Sequence, residues 1–494
     1  MISTIFLSAI FVVVTLFVTK FIFKPYIKCK QYEAKDARVT FYPIFGMILF
    51  IKKQFKETGD FFGFYKQLPK HDQNVRLHVG NIGPKVVLQL LDTKLIKEFY
   101  SHQSKYVKIP LSKAFQALVG TGLLRAEGNL WKQHRKTISS LFHYEFLKQN
   151  TPLIVKTTRE FLDQLKKEPL ENIKIMDEIQ KITGEIVGRI FFGENLNNYN
   201  MDGQLLTLYL ADLLVEIFQN QRTLPMVFTR FVGGSPNWNP HFREIQGKVQ
   251  EFRKVCFKII NDRKASGIKS NDMLGLLLES QNNPHSEDAF SDEDIANEFI
   301  TFFAAGMDTT GHAIAMMLYL LYNNPQYYKN FESEINTIYN QEDPVTHDSL
   351  NKMDFTHAFL KETLRFYTPA PGIFSRTALE DHQLLDVKIK KGMTVRPNPM
   401  YNHFNPKYFP EPEKFSPERW LDKSQSLDPY AYIPFSAGAR NCIGQHLSII
   451  ETKIIMSEFL KRFEFEVPKD YDLKMSMGFL YEPAQKLRMN LKVK

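Results

Sequence analysis

Phe435-Ser436-Ala437-Gly438-Ala439-Arg440-Asn441-Cys442-Ile443-Gly444 is the stretch whose reading decides the fold of this 494-residue chain. It follows a polar loop and runs into an amphipathic pattern that predicts a helix from Gln445 to Arg462. Cys442 thereby stands at a helix N-terminus, where free backbone N–H groups and the helix dipole favour an anion such as a thiolate. Gly438 and Gly444 flank the sulfur. Glycine there permits a sharp turn and lets a flat, bulky ligand approach the backbone. Arg440 offers a guanidinium fork suited to a carboxylate. A lone cysteine before a helix is more often a buried small hydrophobe. The thiolate, the glycines and the arginine together suggest instead an axial ligand of a haem iron beside a haem propionate.

The whole spacing Phe-x-x-Gly-x-Arg-x-Cys-x-Gly is present from Phe435 to Gly444. It resembles the signature of the cytochrome P450 family, the haem-thiolate monooxygenases, in their membrane-anchored eukaryotic (microsomal) form. The resemblance implies a mainly α fold with a smaller β-rich lobe around one haem b (iron protoporphyrin IX). Cys442 would bind the iron, with Phe435, Gly438, Arg440 and Gly444 around the cofactor.

The totals agree with one large catalytic unit. No Ser/Gly-rich linker or internal repeat divides the chain, although its length could hold about three average domains at ~150 residues each. Hydrophobic residues make up 44%, enough for a large core and too few for a polytopic membrane protein, and 42 phenylalanines suit an apolar ligand pocket. The net charge of +9 is scattered, without the basic run that binds nucleic acid. Cys29, Cys256 and Cys442 have no paired spacing, so neither a disulfide framework nor a zinc site is suggested.

Ile2 to Thr19 is almost wholly apolar and just long enough to cross a bilayer core. Lys20, Lys24, Lys28 and Lys30 follow at once and argue that this side stays cytosolic. A cleaved secretory signal would need a basic n-region and a small-residue cleavage site, which are missing. The expected division is an anchor over 1–23, a basic linker over 24–40 and a catalytic domain over 41–494, placed on the cytosolic side of the endoplasmic reticulum membrane. Val75 to Leu90 alternates around Gly80-Asn81 and Gly83-Pro84 and reads as a β-hairpin.

Trp131 and Arg135 stand four apart on a predicted helix and so share a face. The family has this Trp-x-x-x-Arg pattern, which implies that both hold a propionate. His134 between them reads as a surface residue. The stretch from Arg222 to Trp238 lies where the family has a lid over its substrate channel; a plain surface loop is the alternative.

Asp294 to Tyr322 reads as one long helix capped at Ser291 by Ser-x-x-Asp. Its middle holds Ala304-Ala305-Gly306-Met307-Asp308-Thr309-Thr310-Gly311. Two interior glycines cost about 1 kcal/mol each relative to alanine, and polar groups in an apolar run add desolvation. One reason for that expense is a flat ring against the backbone, with a Thr hydroxyl diverting a carbonyl and opening the helix. The other is a helix bent for packing, with Asp308 in a salt bridge. Ala305 to Thr310 matches the family's oxygen-activation motif. The resemblance implies that Ala305 lies against the haem, that Thr309 hydrogen-bonds the bound dioxygen and that Asp308 relays protons. Phe302, Phe303 and Met307, on or near that face, are expected in the substrate pocket.

Glu362 and Arg365 stand three apart, side by side on a helix. The family buries their equivalents with that of Arg419 as an ion network behind the haem, and has Phe where Trp420 stands here. By position Ile373 and Phe374 face substrate, Arg376 is a third propionate partner, and Phe479 lies in a turn that enters the pocket. The expected reaction inserts one atom of O2 into an apolar small molecule or lipid. Its electrons come from NADPH through a flavoprotein reductase, with cytochrome b5 a further candidate partner. Lys132, Lys136 and Lys414 are candidate docking residues. The rivals are a haem-thiolate isomerase or dehydratase of a peroxide and a non-catalytic haem sensor. The family's pocket segments carry no transferable code for substrate.

Overall fold

The N-terminal apolar run forms α1 (Ile2–Val18), which continues through a wider turn at Thr19–Phe23 into α2 (Lys24–Lys30). The computed structural model describes residues 2–494 except 224, 228, 230–232, 282–288, 340–344, 373–374, 423 and 425. From Ile5 to Leu16 the side chains of α1 stand exposed, and the continuous helical run Ile5–Lys30 is long and apolar enough to cross a membrane. α2 behaves differently. Pro25 and Cys29 are buried, and Cys29 packs with Leu77, Val79 and Leu88. β1 (Ala37–Thr40) then pairs in parallel with β2 (Leu77–Ile82). α2 and β1 therefore pack into the β lobe, within the stretch expected as a basic linker. Its lysines fall on one side of α2 and leave an apolar stripe that the neighbouring sheet buries.

β2 and β3 (Lys85–Leu90) form the expected hairpin around Gly83-Pro84, with Gly83 at φ 57°. β4 (Tyr106–Lys108), β5 (Arg376–Ala378) and β6 (Thr394–Pro397) complete a six-stranded sheet in the order β1-β2-β3-β6-β5-β4. Its register sets Lys108 directly opposite Arg376. A separate hairpin, β7 (Met475–Met477) and β8 (Tyr481–Pro483), turns through Gly478-Phe479-Leu480.

The larger lobe is helical: α3 (Lys113–Val119), α4 (Gly128–Ser139), α5 (Tyr144–Leu165), α6 (Ile175–Val187), α7 (Leu206–Asn220), α8 (Pro240–Ser266), α9 (Asp292–Asn323), α10 (Asp354–Phe366) and α11 (Gln445–Arg462). α9 begins with the Ser291–Asp294 capping box read from the sequence. It runs unbroken through the core, packed against α6, α8, α10 and α11. Its glycines explain how α6 comes so close. A Cβ at Gly306 would stand 2.6 Å from Val187 Cγ2, and one at Gly311 would stand 3.0 Å from Gln180 Cγ. Both glycines let α6 pack close to α9.

Candidate active site

The loop before α11 is folded by its own backbone. Cys442 N–H donates to Phe435 O at 2.9 Å, and Asn441 N–H donates to Gly438 O at 3.1 Å. Ser436 and Gly438 take φ of 63° and 71°, which reverses the chain twice. A Cβ at Gly438 would stand 2.8 Å from Gln103 Nε2 and 3.2 Å from Tyr100 O, so this glycine answers to the segment from Tyr100 to Gln103 as well as to the turn. Gly444 caps α11, and its N–H donates to the Cys442 sulfur. Cys29 and Cys256 are buried and Cys442 is exposed, yet protein crowds its sulfur closely enough that burial raises the thiol pKa. The Gly444 N–H and Arg135 act in the opposite sense. Burial thus outweighs the helix terminus, contrary to the expected net lowering; a coordinating cation would deprotonate the thiol outright. A sulfur that is reachable but enclosed lines an interior space.

α9 packs against α11, the helix that follows the cysteine loop. From Ile295 to Leu318 every residue is buried except Ala305, Gly306 and Thr309, which form one small-residue stripe. That stripe is a surface against which a flat ring fits. The Thr309 hydroxyl donates to Ala305 O at 2.8 Å without opening the helix. Thr310 Oγ1 donates to Ser448 Oγ at 3.1 Å and ties α9 to α11. Beside it, burial raises the Glu451 carboxyl to about 8, a shift that Thr310 partly opposes. Asp308 faces away from the open stripe. It is 5% exposed, and its Oδ1 accepts from Gln180 Nε2 at 2.7 Å and lies 3.1 Å from His312 Nδ1.

Phe302 stacks on Phe142 with ring centroids 5.7 Å apart, and Phe303 stacks on Phe252 of α8 at 6.4 Å. Met307 is fully buried, with its carbonyl accepting from Thr183 Oγ1 at 2.8 Å. Phe479 packs between Phe115 of α3 at 5.3 Å and Phe218 of α7 at 5.2 Å. Ile373 and Phe374 lie outside the described residues, as does part of the 222–238 stretch.

A crowd of cations stands beside the cysteine loop. Arg376 is 6% exposed, and its guanidinium has no hydrogen-bond partner among the described residues. Lys108 lies opposite it across the sheet. Like charges so placed repel, and burial together with Arg440 and Arg376 lowers the Lys108 amine to about 7. The Arg440 fork is taken by Ala126 O at 2.8 Å and Glu127 Oε2 at 2.6 Å, and its plane lies 4.4 Å from the Trp131 ring centroid. Arg135 donates to Asn441 O and Oδ1 at 3.1 and 3.0 Å. The Trp131 indole N–H has no partner among the described residues. Glu127 is the carboxylate of this group, and it also accepts from Lys108 N–H at 3.2 Å. Positive charge in excess, with an arginine fork and an indole N–H free, fits a dianionic ligand edge such as two propionates. Glu127 and Lys108 carried no signal in the sequence, because only the folded sheet brings them here.

His134 is buried rather than on the surface. Its Nδ1 lies 2.6 Å from Glu298 Oε1, which pins α4 to α9. Burial raises the Glu298 carboxyl, against the pull of His134. The spacing of α4 gave no hint of an acid on a distant helix.

Glu362 and Arg365 are both fully buried in a two-pronged pair, Nε to Oε2 at 2.9 Å and Nη2 to Oε1 at 2.8 Å. Arg419 Nε reaches Glu362 Oε1 at 3.1 Å. Trp420 proves to be a working substitution. Its indole N–H donates to Glu362 Oε2 at 2.8 Å, a bond that phenylalanine could not make. The remaining Arg365 protons go to His403 O, Pro412 O and Lys414 O at 2.6, 2.7 and 3.2 Å.

The whole chain has recognisable relatives. A cytochrome P450 family model matches residues 38–490. The chain is 28% identical over 475 residues to cytochrome P450 4V2 of Rattus norvegicus, covering 91% of this chain and 88% of that protein. It is 29% identical over 398 residues to cytokinin hydroxylase of Arabidopsis thaliana, covering 79% and 75%. Among solved structures, the cytochrome P450DA heme domain superposes with a TM-score of 0.76 at 22% identity, over 87% of this chain and 92% of that one, a likeness of fold. The match that begins in β1 and runs almost to the C-terminus takes in the cysteine loop and its facing helix, and this chain accordingly belongs to the cytochrome P450 family of haem-dependent monooxygenases.

Proposed function

We propose that Cys442 would hold the iron of a haem b through its thiolate and that the chain inserts one atom of O2 into an apolar small molecule or lipid. The observation that carries this reading is the pairing of an enclosed, reachable thiol at the start of α11 with the accessible stripe Ala305, Gly306 and Thr309 of α9. A haem bound there supplies oxygen activation and electron transfer, with the thiolate pushing electron density toward the O–O bond. Phe435 and Gly444 would border the ring on the sulfur side, and Ala305 on the other. The chain's own groups do the rest. Arg376, Arg440, Arg135 and Trp131 hold the propionate edge, with Gly438 shaping the loop that carries Arg440. Thr309 presents a hydroxyl to the open space, and Asp308, one residue away, is the carboxylate through which protons would pass. Phe479, with Phe115 and Phe218, closes the apolar side. Phe302, Phe303 and Met307 back the wall. Glu362, Arg365 and Arg419 keep the folded platform behind the cysteine.

Electrons reach the site, in this reading, from NADPH through a flavoprotein reductase, with cytochrome b5 a second candidate donor. The exposed lysines Lys132, Lys136 and Lys414 offer a cationic docking face. α1 would anchor the protein in the endoplasmic reticulum membrane with the catalytic lobe cytosolic, as the lysines that follow it favour. The test is spectroscopic. The reduced, carbon monoxide-treated protein is expected to give the absorption band of a thiolate-bound haem, and Cys442→Ser is expected to abolish it while haem-free folding persists. A wild-type protein that binds haem without that band overturns the reading. Reconstitution with reductase and NADPH, scored by product from candidate lipids, separates monooxygenation from peroxide isomerisation.

A further inference from the structure

Asp308 is buried, so a proton that leaves it must be replaced through the protein. Its neighbours mark one path. His312, one turn further along α9 and 2% exposed, places Nδ1 2.7 Å from Asp308 O and 3.1 Å from Asp308 Oδ1. On the far side of the ring, Nε2 lies 3.0 Å from Glu482 Oε2 on β8. A backbone carbonyl only accepts, so Nδ1 carries a proton; Nε2 and Glu482 share another. Glu482 is half-buried and is the end of the chain nearest solvent.

A second observation comes from the β7–β8 turn. A Cβ at Gly478 would stand 1.8 Å from Glu482 Oε1. The turn leaves a hollow that the carboxylate fills, and a side chain at 478 would evict it. Gln180 Nε2, donating at 2.7 Å, fixes the other end by holding Asp308 Oδ1 toward the imidazole.

We propose that His312 and Glu482 are positioning residues that form a buried proton relay, carrying protons from the surface of the β7–β8 hairpin to Asp308. The inference rests on the monooxygenase reading above. In each transfer the Nδ1–H bond of the imidazolium breaks and the proton passes to Asp308 Oδ1, which becomes a carboxylic acid. The ring stays neutral with its Nε2–H. A half-turn of the ring brings that N–H to Asp308 and the bare nitrogen to Glu482. Glu482, protonated from solvent, then returns the imidazole to its cationic form. The charged groups facing His312 are Asp308 from its own helix and Glu482 from β8, with Arg222 acting on Glu482; Gln180 and Thr183 of α6 are uncharged. Burial pulls the imidazole down, but the two carboxylates outweigh it and raise it to about 10.

The test uses the full-length protein, wild type and with His312→Gln, Glu482→Gln, Glu482→Asp and Gly478→Ala. Nitrogen NMR of histidine-labelled protein is expected to find both His312 nitrogens protonated at pH 8. Glu482→Gln is expected to lower that titration by about one unit or more. In reductase assays, His312→Gln, Glu482→Gln and Gly478→Ala are expected to cut product per NADPH about tenfold and raise hydrogen peroxide, with haem content and substrate-induced spectral shift unchanged. Glu482→Asp is expected to restore coupling. A neutral His312 at pH 8, or full coupling in Glu482→Gln, overturns the relay. If His312→Gln fails to fold, the Glu482 pair still decides. A wild-type protein lacking the thiolate–haem band overturns the monooxygenase reading instead, and the NMR result stands apart from it.

Discussion

At the scale of single residues, the Glu362 carboxylate is the most heavily subscribed group in the molecule. It accepts from Arg365, Arg419, Trp420 and the Ser416 N–H. Removing one donor of several leaves the charge paired, so Trp420→Phe is expected to cost about 1–2 kcal/mol in denaturant unfolding. Glu362→Ala strands a fully buried arginine and is expected to cost about 3–5 kcal/mol, with poor haem retention. Thr309 makes a contrasting case. Its hydroxyl bonds only its own helix, at Ala305 O. Thr309→Ala is therefore expected to keep stability within about 0.5 kcal/mol of wild type while diverting NADPH-derived electrons to hydrogen peroxide, measured as peroxide per NADPH. The Trp420 bond could be read only in part from the sequence. The indole was visible, but its orientation toward Glu362 depends on how the 417–420 turn meets α10.

At the scale of elements, α9 is held by close packing on one side and by buried titratable groups on the other. Gly306→Ala would press a Cβ to 2.6 Å from Val187 Cγ2. It is expected to destabilise the protein by about 1–3 kcal/mol, and Val187→Ala in the same chain is expected to recover much of that loss. On the α11 side, the Glu451 carboxyl has a folded pKa of about 8, above its unfolded value, because burial disfavours its charge. The folded state therefore keeps a proton that the unfolded state releases. This contribution is fully present below about pH 4.5 and is lost as pH rises toward 8, at up to about 1.4 kcal/mol per pH unit. Glu451→Gln cannot ionise. The stability gap between variant and wild type, from chemical unfolding at several pH values, is expected to move in favour of the variant across that window and then level off. The α9 helix, its capping box and its polar middle were legible in the sequence. The direction of Asp308 was not, because Gln180 and Glu482 lie on elements whose placement no local pattern specifies.

At the scale of the whole molecule, the N-terminal rod divides between two environments. α1 is exposed from Ile5 to Leu16, whereas α2 buries Pro25 and Cys29 against the sheet. Deleting residues 2–18 is expected to leave the thermal midpoint of the catalytic lobe unchanged and to release the protein from membranes. Deleting residues 2–30 uncovers the face made by Leu77, Val79 and Leu88, and is expected to lower the midpoint by several degrees. Differential scanning calorimetry of the two truncations separates these outcomes. The cation cluster also belongs to this scale. It gathers Lys108 and Arg376 from the sheet, Arg440 from the cysteine loop and Glu127 from the turn before α4.

The sequence by itself determined what depends on spacing within one segment: the cysteine loop running into α11, the cap of α9, the hairpin at Gly83-Pro84 and the Glu362–Arg365 pair. Backbone periodicity places such residues together wherever the segment goes. The tertiary structure alone decided which way Asp308 faces, how closely α6 approaches Gly306 and Gly311, where Glu127 and His134 find partners, and that α2 and β1 pack into the sheet lobe. Each of these rests on two distant stretches meeting, and burial and register between them exist only once the chain has packed.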